Sequence, residues 1–132
     1  MNMKMIALIT ALAALLAFST PALAAEHFRV ERMVVAEAVI DREPTGVSDT
    51  FAVDRERIYA FIEARDIQED TTVNIVWFHD NQEIAVVPLS LGQGPRWRTY
   101  SSITVGERSG DWRVELHDEP GNIKKSVDFR VE

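Results

Sequence analysis

The chain has 132 residues and no cysteine, and its 14 basic and 21 acidic side chains give a formal net charge of −7. The absence of cysteine excludes disulfides and thiolate metal sites. The acidic balance disfavours nucleic acid and anionic lipid as partners, because both would repel the protein.

The N-terminal segment has the three parts of an export signal. Lys4 precedes a nearly unbroken apolar run over residues 5–18, and Ala22-Leu23-Ala24 supplies the small residues of a cleavage site. We therefore predict a signal peptide over residues 1–24 that is cleaved after Ala24, a single periplasmic domain over residues 25–132, and no membrane span after cleavage. A retained membrane anchor is the alternative, but the run is shorter than the roughly 20 residues that cross a bilayer.

Beyond this segment, apolar residues alternate with polar ones, which is the period of β-strands. The first such segment, Phe28–Asp41, is rich in valine and strand-like, although Ala36-Glu37-Ala38 would equally suit a short helix. Glu43–Asp54 is expected to be a loop with room for a short strand at Phe51–Val53. Further strands are predicted at Arg57–Arg65, Thr72–His79, Glu83–Leu91, Arg96–Val105, Trp112–His117 and Ile123–Val131.

Turn sequences separate these segments. His79-Asp80-Asn81-Gln82 predicts a hairpin, and Asp118-Glu119-Pro120-Gly121 predicts a turn in which glycine accepts a positive φ. Pro88 has no N–H, so its strand is expected to lie at a sheet edge or to carry a bulge. About seven strands with this spacing predict an all-β fold, a single immunoglobulin-like antiparallel β-sandwich.

Five stretches, in their order along the chain, resemble the bacterial envelope family of unknown function called DUF2914. They are Asp41-Arg42-Glu43-Pro44, Tyr59-Ala60-Phe61, Val76-Trp77-Phe78, Trp97-Arg98-Thr99-Tyr100-Ser101-Ser102 and Gly110-Asp111-Trp112-Arg113-Val114-Glu115. The resemblance runs from about Met33 to Val131, and it implies a small β-rich domain without an established activity. Ile75 and Ile103 stand where many members carry histidine and lysine, so any role of those polar residues is not expected in this chain.

The predicted strand Arg96–Val105 and its neighbour carry the strongest binding candidates. Alternation places Arg96, Arg98 and Tyr100 on one outer face, and Arg113 lies on a strand that we expect to be adjacent. Arginine binds carboxylate or phosphate through two parallel hydrogen bonds, and an aromatic neighbour adds a stacking surface. We predict that Arg96, Arg98, Tyr100 and Arg113 bind a ligand or partner, with Arg98 and Arg113 side by side.

A structural interpretation competes with this prediction. Trp97 and Trp112 are expected to be core residues, each of which would bury about 150–250 Å². The arginines that follow them would then pair with local acids such as Glu115.

Candidates for catalysis and for metal binding are weaker. Ser101, Ser102, His117 and Asp118 contain the residue types of a hydrolase triad, but no nucleophile elbow surrounds the serines, and neighbours on a strand face opposite ways. The three histidines lack zinc-site spacing, and the acidic segment Asp66–Asp70 lacks the glycine of a calcium loop. We therefore expect no metal site, no cofactor and no enzymatic activity.

The sequence favours a non-catalytic periplasmic binding or interaction module that uses a sheet face or loops. The expected partner is an envelope protein, a glycan or a small anionic ligand, in that order, and the oligomeric state is left open. One alternative is a periplasmic hydrolase or carbohydrate-active enzyme, which would need a cleft with two carboxylates. The other is a structural subunit of an envelope assembly, in which a free strand edge would accept a strand from a partner.

Overall fold

The structure is a computed structural model that describes residues 27–132, so the predicted signal peptide lies outside the described residues. Residues 27–132 contain no helix that could span a membrane. They form nine strands, which are β1 (Arg29–Ile40), β2 (Glu43–Val47), β3 (Thr50–Phe51), β4 (Arg57–Ile67), β5 (Thr71–His79), β6 (Gln82–Leu91), β7 (Gly94–Thr104), β8 (Gly110–His117) and β9 (Ile123–Val131).

The strands form a sandwich of two sheets. One sheet has the order β2-β1-β4-β7, and the other has the order β3-β9-β8-β5-β6. Strand pairs are antiparallel except for the short β3, which runs parallel to β9. The chain changes sheet at five links, which are β2 to β3, β3 to β4, β4 to β5, β6 to β7 and β7 to β8, and such crossings are typical of immunoglobulin-like sandwiches. The predicted fold class is therefore confirmed.

One expectation about the strands is wrong, because Glu43–Val47 is a strand and not a loop. Asp41 and Arg42 have φ values of 52° and 62°, which reverse the chain so that β2 pairs with the end of β1. Pro44 and Gly46 are depleted in strands, and this composition hides β2 from a reading of the sequence. The short strand β3 begins one residue before the expected Phe51.

The predicted turns are present. Asp80 and Asn81 have φ values of 49° and 66° between β5 and β6, as a tight hairpin requires. Gly121 has a φ of 101°, and its N–H donates to the Asp118 carbonyl at 2.9 Å. Pro88 lies in β6, which is an outer strand of its sheet, so the edge prediction is confirmed.

The hydrophobic core lies between the two sheets. Trp77 on β5 is fully buried and donates its Nε1–H to Ser101 Oγ of β7 at 3.3 Å, which links the sheets. Trp112 on β8 is 2% exposed, and its ring stacks on Phe129 with centroids 5.8 Å apart. Trp77 meets the same phenyl ring edge-on at 6.2 Å. All three rings lie on the five-stranded sheet, and the Trp77–Ser101 hydrogen bond joins this aromatic cluster to the four-stranded sheet.

Candidate binding surface

The outer face of the four-stranded sheet brings together charged residues from three strands. Glu63 of β4 stands opposite Arg32 of β1 and opposite Arg98 of β7. Arg65 and Arg96 stand opposite each other two positions along the same strands. Side chains at alternate positions share a face, so these residues form one charged surface.

Two carboxylates on this surface are shared among four guanidinium groups. Glu63 accepts from Arg65 Nη2 at 2.9 Å and from Arg96 Nη2 at 3.2 Å. Glu43 of β2 accepts from Arg32 Nη2 at 3.3 Å and also pairs with Arg98. The cluster therefore carries an excess of positive charge within an acidic protein.

Glu63 is the buried member of the cluster, with 7% of its surface exposed. Burial raises the pKa of Glu63, but hydrogen bonds and charges from Arg96 and Arg65 outweigh burial, so the pKa lies below its ordinary value of 4.5. The side chain is therefore ionised at neutral pH and holds both guanidinium groups in place.

The β1–β2 hairpin folds over this face. Glu43 contacts Arg32 and Arg98, which flank Glu63 on either side, so the hairpin tip lies above that row. Phe61 is opposite Tyr100 on the same face, yet it is only 1% exposed. The hairpin lies beside Phe61, and the Arg32 guanidinium lies 5.0 Å from the centroid of its ring, so both cover this outward-facing phenylalanine.

A shallow depression of about 330 Å³ opens where the tip meets the sheet. Its lining residues come from the hairpin and from β4 and β7: Val39, Asp41, Arg42, Phe61, Arg98, Thr99 and Tyr100. Tyr100 is 49% exposed and packs against Tyr59, with ring centroids 5.8 Å apart. The depression thus combines guanidinium groups with an aromatic surface.

The structure separates Arg113 from the other predicted binding residues. Arg113 lies on β8 of the five-stranded sheet, whereas Arg96, Arg98 and Tyr100 lie on β7 of the other sheet. The expectation that Arg98 and Arg113 lie side by side is therefore wrong. Alternation along a strand identifies a face, but it does not say which sheet the strand joins.

Arg113 has its own local network. Its Nε donates to Glu115 Oε2 at 2.8 Å, its Nη1 donates to Asn81 Oδ1 at 2.9 Å, and its guanidinium lies 4.2 Å from the centroid of the Phe78 ring. His117 Nε2 lies 2.8 Å from Glu115 Oε1. Burial raises the pKa of Glu115, but the hydrogen bonds from His117 and Arg113, together with their charges, outweigh burial and lower the pKa.

Trp97 departs from the expectation that it is a core residue, since it is 40% exposed. Trp112 meets that expectation and donates its Nε1–H to the Arg108 carbonyl at 2.8 Å. Trp97 lies near the start of β7, where the strand follows the link from β6, and its indole packs against Gly92. Its position at the edge of the sandwich leaves part of the ring in solvent.

The hydrolase-type residues are not assembled. Ser101 is buried between the sheets beside Trp77, whereas His117 lies on the outer face of the five-stranded sheet. Within residues 27–132, no group of three His, Asp or Glu side chains could hold a metal ion.

Sequence reasoning missed the partners that complete the charged cluster. Arg32 and Arg65 were not among the candidates, although alternation puts Arg65 on the same face as Glu63.

The family described as "Protein of unknown function (DUF2914)" matches residues 70–131. This match confirms the resemblance to the family over the link before β5 through β9, whereas the stretches at Asp41–Pro44 and Tyr59–Phe61 lie before the matched range. Among curated proteins, none matches the sequence.

Solved structures show the same fold in parts of much larger proteins. A β-glucosidase from Erythrobacter marinus, EmGH1, aligns with a TM-score of 0.54 at 6% identity, over 80% of this chain and 15% of that chain. A β-glucosidase from Listeria innocua in complex with glucose aligns with a TM-score of 0.50 at 8% identity, over 79% of this chain and 15% of that chain. At such identities the likeness shows the fold alone.

Proposed function

We propose that this domain, whose residues 70–131 match the DUF2914 family, is a non-catalytic periplasmic module that binds an acidic group of an envelope protein. The binding surface is the charged cluster together with the depression beside Tyr100. The observation that carries the proposal is that four guanidinium groups share two carboxylates there. An added carboxylate would meet donors that are already held in position.

The exposure of the pairs supports this assignment. The Arg98 side chain is 22% exposed, and its partner Glu43 is 54% exposed, so the pair meets solvent at the surface. A guanidinium carries five N–H donors, and one carboxylate satisfies only some of them. A carboxylate of a partner therefore has donors to bind without first breaking the core.

The two carboxylates with a perturbed pKa are poorly suited to act as general acids. A glycosidase or a related hydrolase needs a carboxyl group whose pKa is raised so that it can donate a proton. Glu63 and Glu115 have pKa values that are lowered, which keeps both groups charged. Fixed negative charges of this kind position arginines and do not act as general acids.

The proposal is tested by capture of envelope proteins with tagged residues 25–132 and two matched variants. Arg98→Ala and Arg130→Ala each remove a guanidinium that pairs with one exposed carboxylate, Glu43 or Asp111. We expect Arg98→Ala to abolish capture and Arg130→Ala to retain it, while all three proteins melt at nearly the same temperature. The proposal would be contradicted if Arg98→Ala captured as much partner as the parent protein. It would also be contradicted if Arg98→Ala melted at a much lower temperature while Arg130→Ala did not.

Glu43→Gln provides a test with the opposite sign. Glu43 competes with the partner's carboxylate for Arg32 and Arg98, so its neutral amide should tighten binding of the captured partner several-fold. A purely structural ion pair would make Glu43→Gln and Arg98→Ala change binding in the same direction. That outcome would refute the anion-binding role of the cluster.

A further inference from the structure

A second site lies on the other side of β7. Trp97 points to the opposite side of the strand from Arg96 and Arg98, because neighbours on a strand alternate. Its ring is 40% exposed, and it borders a groove of about 590 Å³ between the ends of β5, β6 and β7 and the β8–β9 turn. The groove is therefore separate from the charged cluster.

Gly92 holds the Trp97 indole in place. A Cβ built on Gly92 would lie 2.5 Å from Trp97 Cζ3 and 2.9 Å from Cε3, so any side chain there would displace the ring. The absence of a side chain lets the indole lie directly on the backbone of the β6–β7 link. The buried side of the indole therefore packs on the backbone, which fixes the orientation of its exposed side.

The other walls of the groove are polar. They include two hydroxyls and an amide, from Thr72, Ser90 and Gln93, and two carboxylates, from Asp70 and Glu119. Asp70 Oδ1 accepts from the Gln93 backbone N–H at 2.8 Å, and Glu119 Oε2 accepts from the Thr71 hydroxyl at 3.3 Å. Both carboxylates are thus oriented, and each has acceptor sites left for a ligand.

We propose that this groove binds a neutral oligosaccharide, with one pyranose ring stacked on Trp97. The indole matches the apolar C–H face of a sugar ring, and the surrounding hydroxyls, carboxylates and amide can bond its hydroxyl groups as donors and acceptors. No Arg, Lys or His is among the lining residues, so Asp70 and Glu119 would repel an anionic sugar.

The mixed hydrogen-bonding set argues against a cationic ligand. An ammonium group only donates hydrogen bonds, so it would leave the donors of Thr72, Ser90 and Gln93 without a use. The groove also extends across several strand ends, which suits a chain of sugar units better than one small cation. Binding of a cation is nevertheless an outcome that the experiment distinguishes.

The experiment titrates residues 25–132 with cellohexaose, maltohexaose and chitohexaose and follows calorimetry and tryptophan fluorescence. Trp97 is the exposed indole, whereas Trp77 and Trp112 are buried, so a bound sugar should shift the emission of Trp97. We expect saturable binding of at least one hexasaccharide. Trp97→Ala should weaken that binding more than tenfold, and Val86→Ala, which removes an exposed apolar side chain that does not line the groove, should leave it unchanged.

Gly92→Ala and Thr72→Val keep the indole and test the groove around it. Gly92→Ala displaces the ring, and Thr72→Val removes one hydroxyl without changing the shape, so both should weaken binding. The inference is overturned if none of the three sugars binds, if Trp97→Ala binds as well as the parent, or if tetramethylammonium chloride binds the groove and the sugars do not. None of these results bears on capture by the charged cluster.

Discussion

Truncation of Trp112 is the sharpest test of how the domain is packed. Trp112 is 2% exposed, stacks on Phe129 with ring centroids 5.8 Å apart, and contacts the tilted ring of His79 at 4.9 Å. Deletion of a buried aromatic costs about 3–5 kcal/mol, which combines lost transfer energy with the cavity that remains. Trp112→Ala also removes the N–H that donates to the Arg108 carbonyl, which adds about 1 kcal/mol.

Trp97→Ala is the matched control for the loss of unfolding free energy in Trp112→Ala. Both variants delete an indole, but Trp97 is 40% exposed, so its loss should cost roughly half as much or less. Trp112→Phe keeps most of the packing and should lose about 1–2 kcal/mol, mainly through the unpaired carbonyl.

The assay is guanidinium chloride unfolding followed by far-ultraviolet circular dichroism, which does not depend on the deleted fluorophore. A loss of 3–5 kcal/mol is a large share of the roughly 5–15 kcal/mol by which such a domain is stable, and it should lower the melting temperature by at least about 12 °C. If Trp112→Ala and Trp97→Ala cost the same, or if Trp112→Ala costs under about 1 kcal/mol, the assignment of Trp112 to the core is refuted.

Three further predictions concern pH, the hairpin and export. The folded-state pKa of Glu63 lies below its ordinary value, so the ionised side chain stabilises the fold fully above pH 4.5, and this effect is lost as pH falls through the folded value. Glu63→Gln should therefore show a smaller fall in its denaturant midpoint between neutral and acidic pH than the parent. An equal fall in both proteins would contradict this. Gly46→Ala should cost more than Gly106→Ala, since both glycines have positive φ but only Gly46 faces a side chain, Glu37, within 3 Å; equal unfolding free energies would exclude the clash. The intact mass of the exported protein should match a chain that starts at Ala25, and a mass that retains residues 1–24 would indicate an anchor.

Periodicity identified most of the fold because alternation reports directly on burial within a strand. The seven long strands, the Asp80-Asn81 hairpin and the edge position of Pro88 follow from local signals that the structure leaves intact. The strand Glu43–Val47 escaped prediction because it is held by pairing with β1 and not by its own composition.

The binding surface was predicted only in part because sheet membership is a long-range property. Arg96, Arg98 and Tyr100 share one face, as alternation indicates, but Arg113 joins the other sheet. Trp97 follows the inward period of β7 and yet reaches solvent, because the strand starts at the open side of the sandwich. Neither fact is encoded in the spacing of neighbouring residues.

The hairpin over the outer face makes the covering of Phe61 sensitive to ionic strength. Its tip is fastened through Glu43, an exposed carboxylate, whereas the sandwich beneath is held by apolar packing. Added electrolyte shortens the reach of exposed charges from about 8 Å at physiological concentration to about 3 Å at 1 M, and it leaves apolar packing in place. High salt should therefore loosen the tip of the β1–β2 hairpin at concentrations at which the domain stays folded. The Phe61 ring would then be the first buried group to become exposed to water.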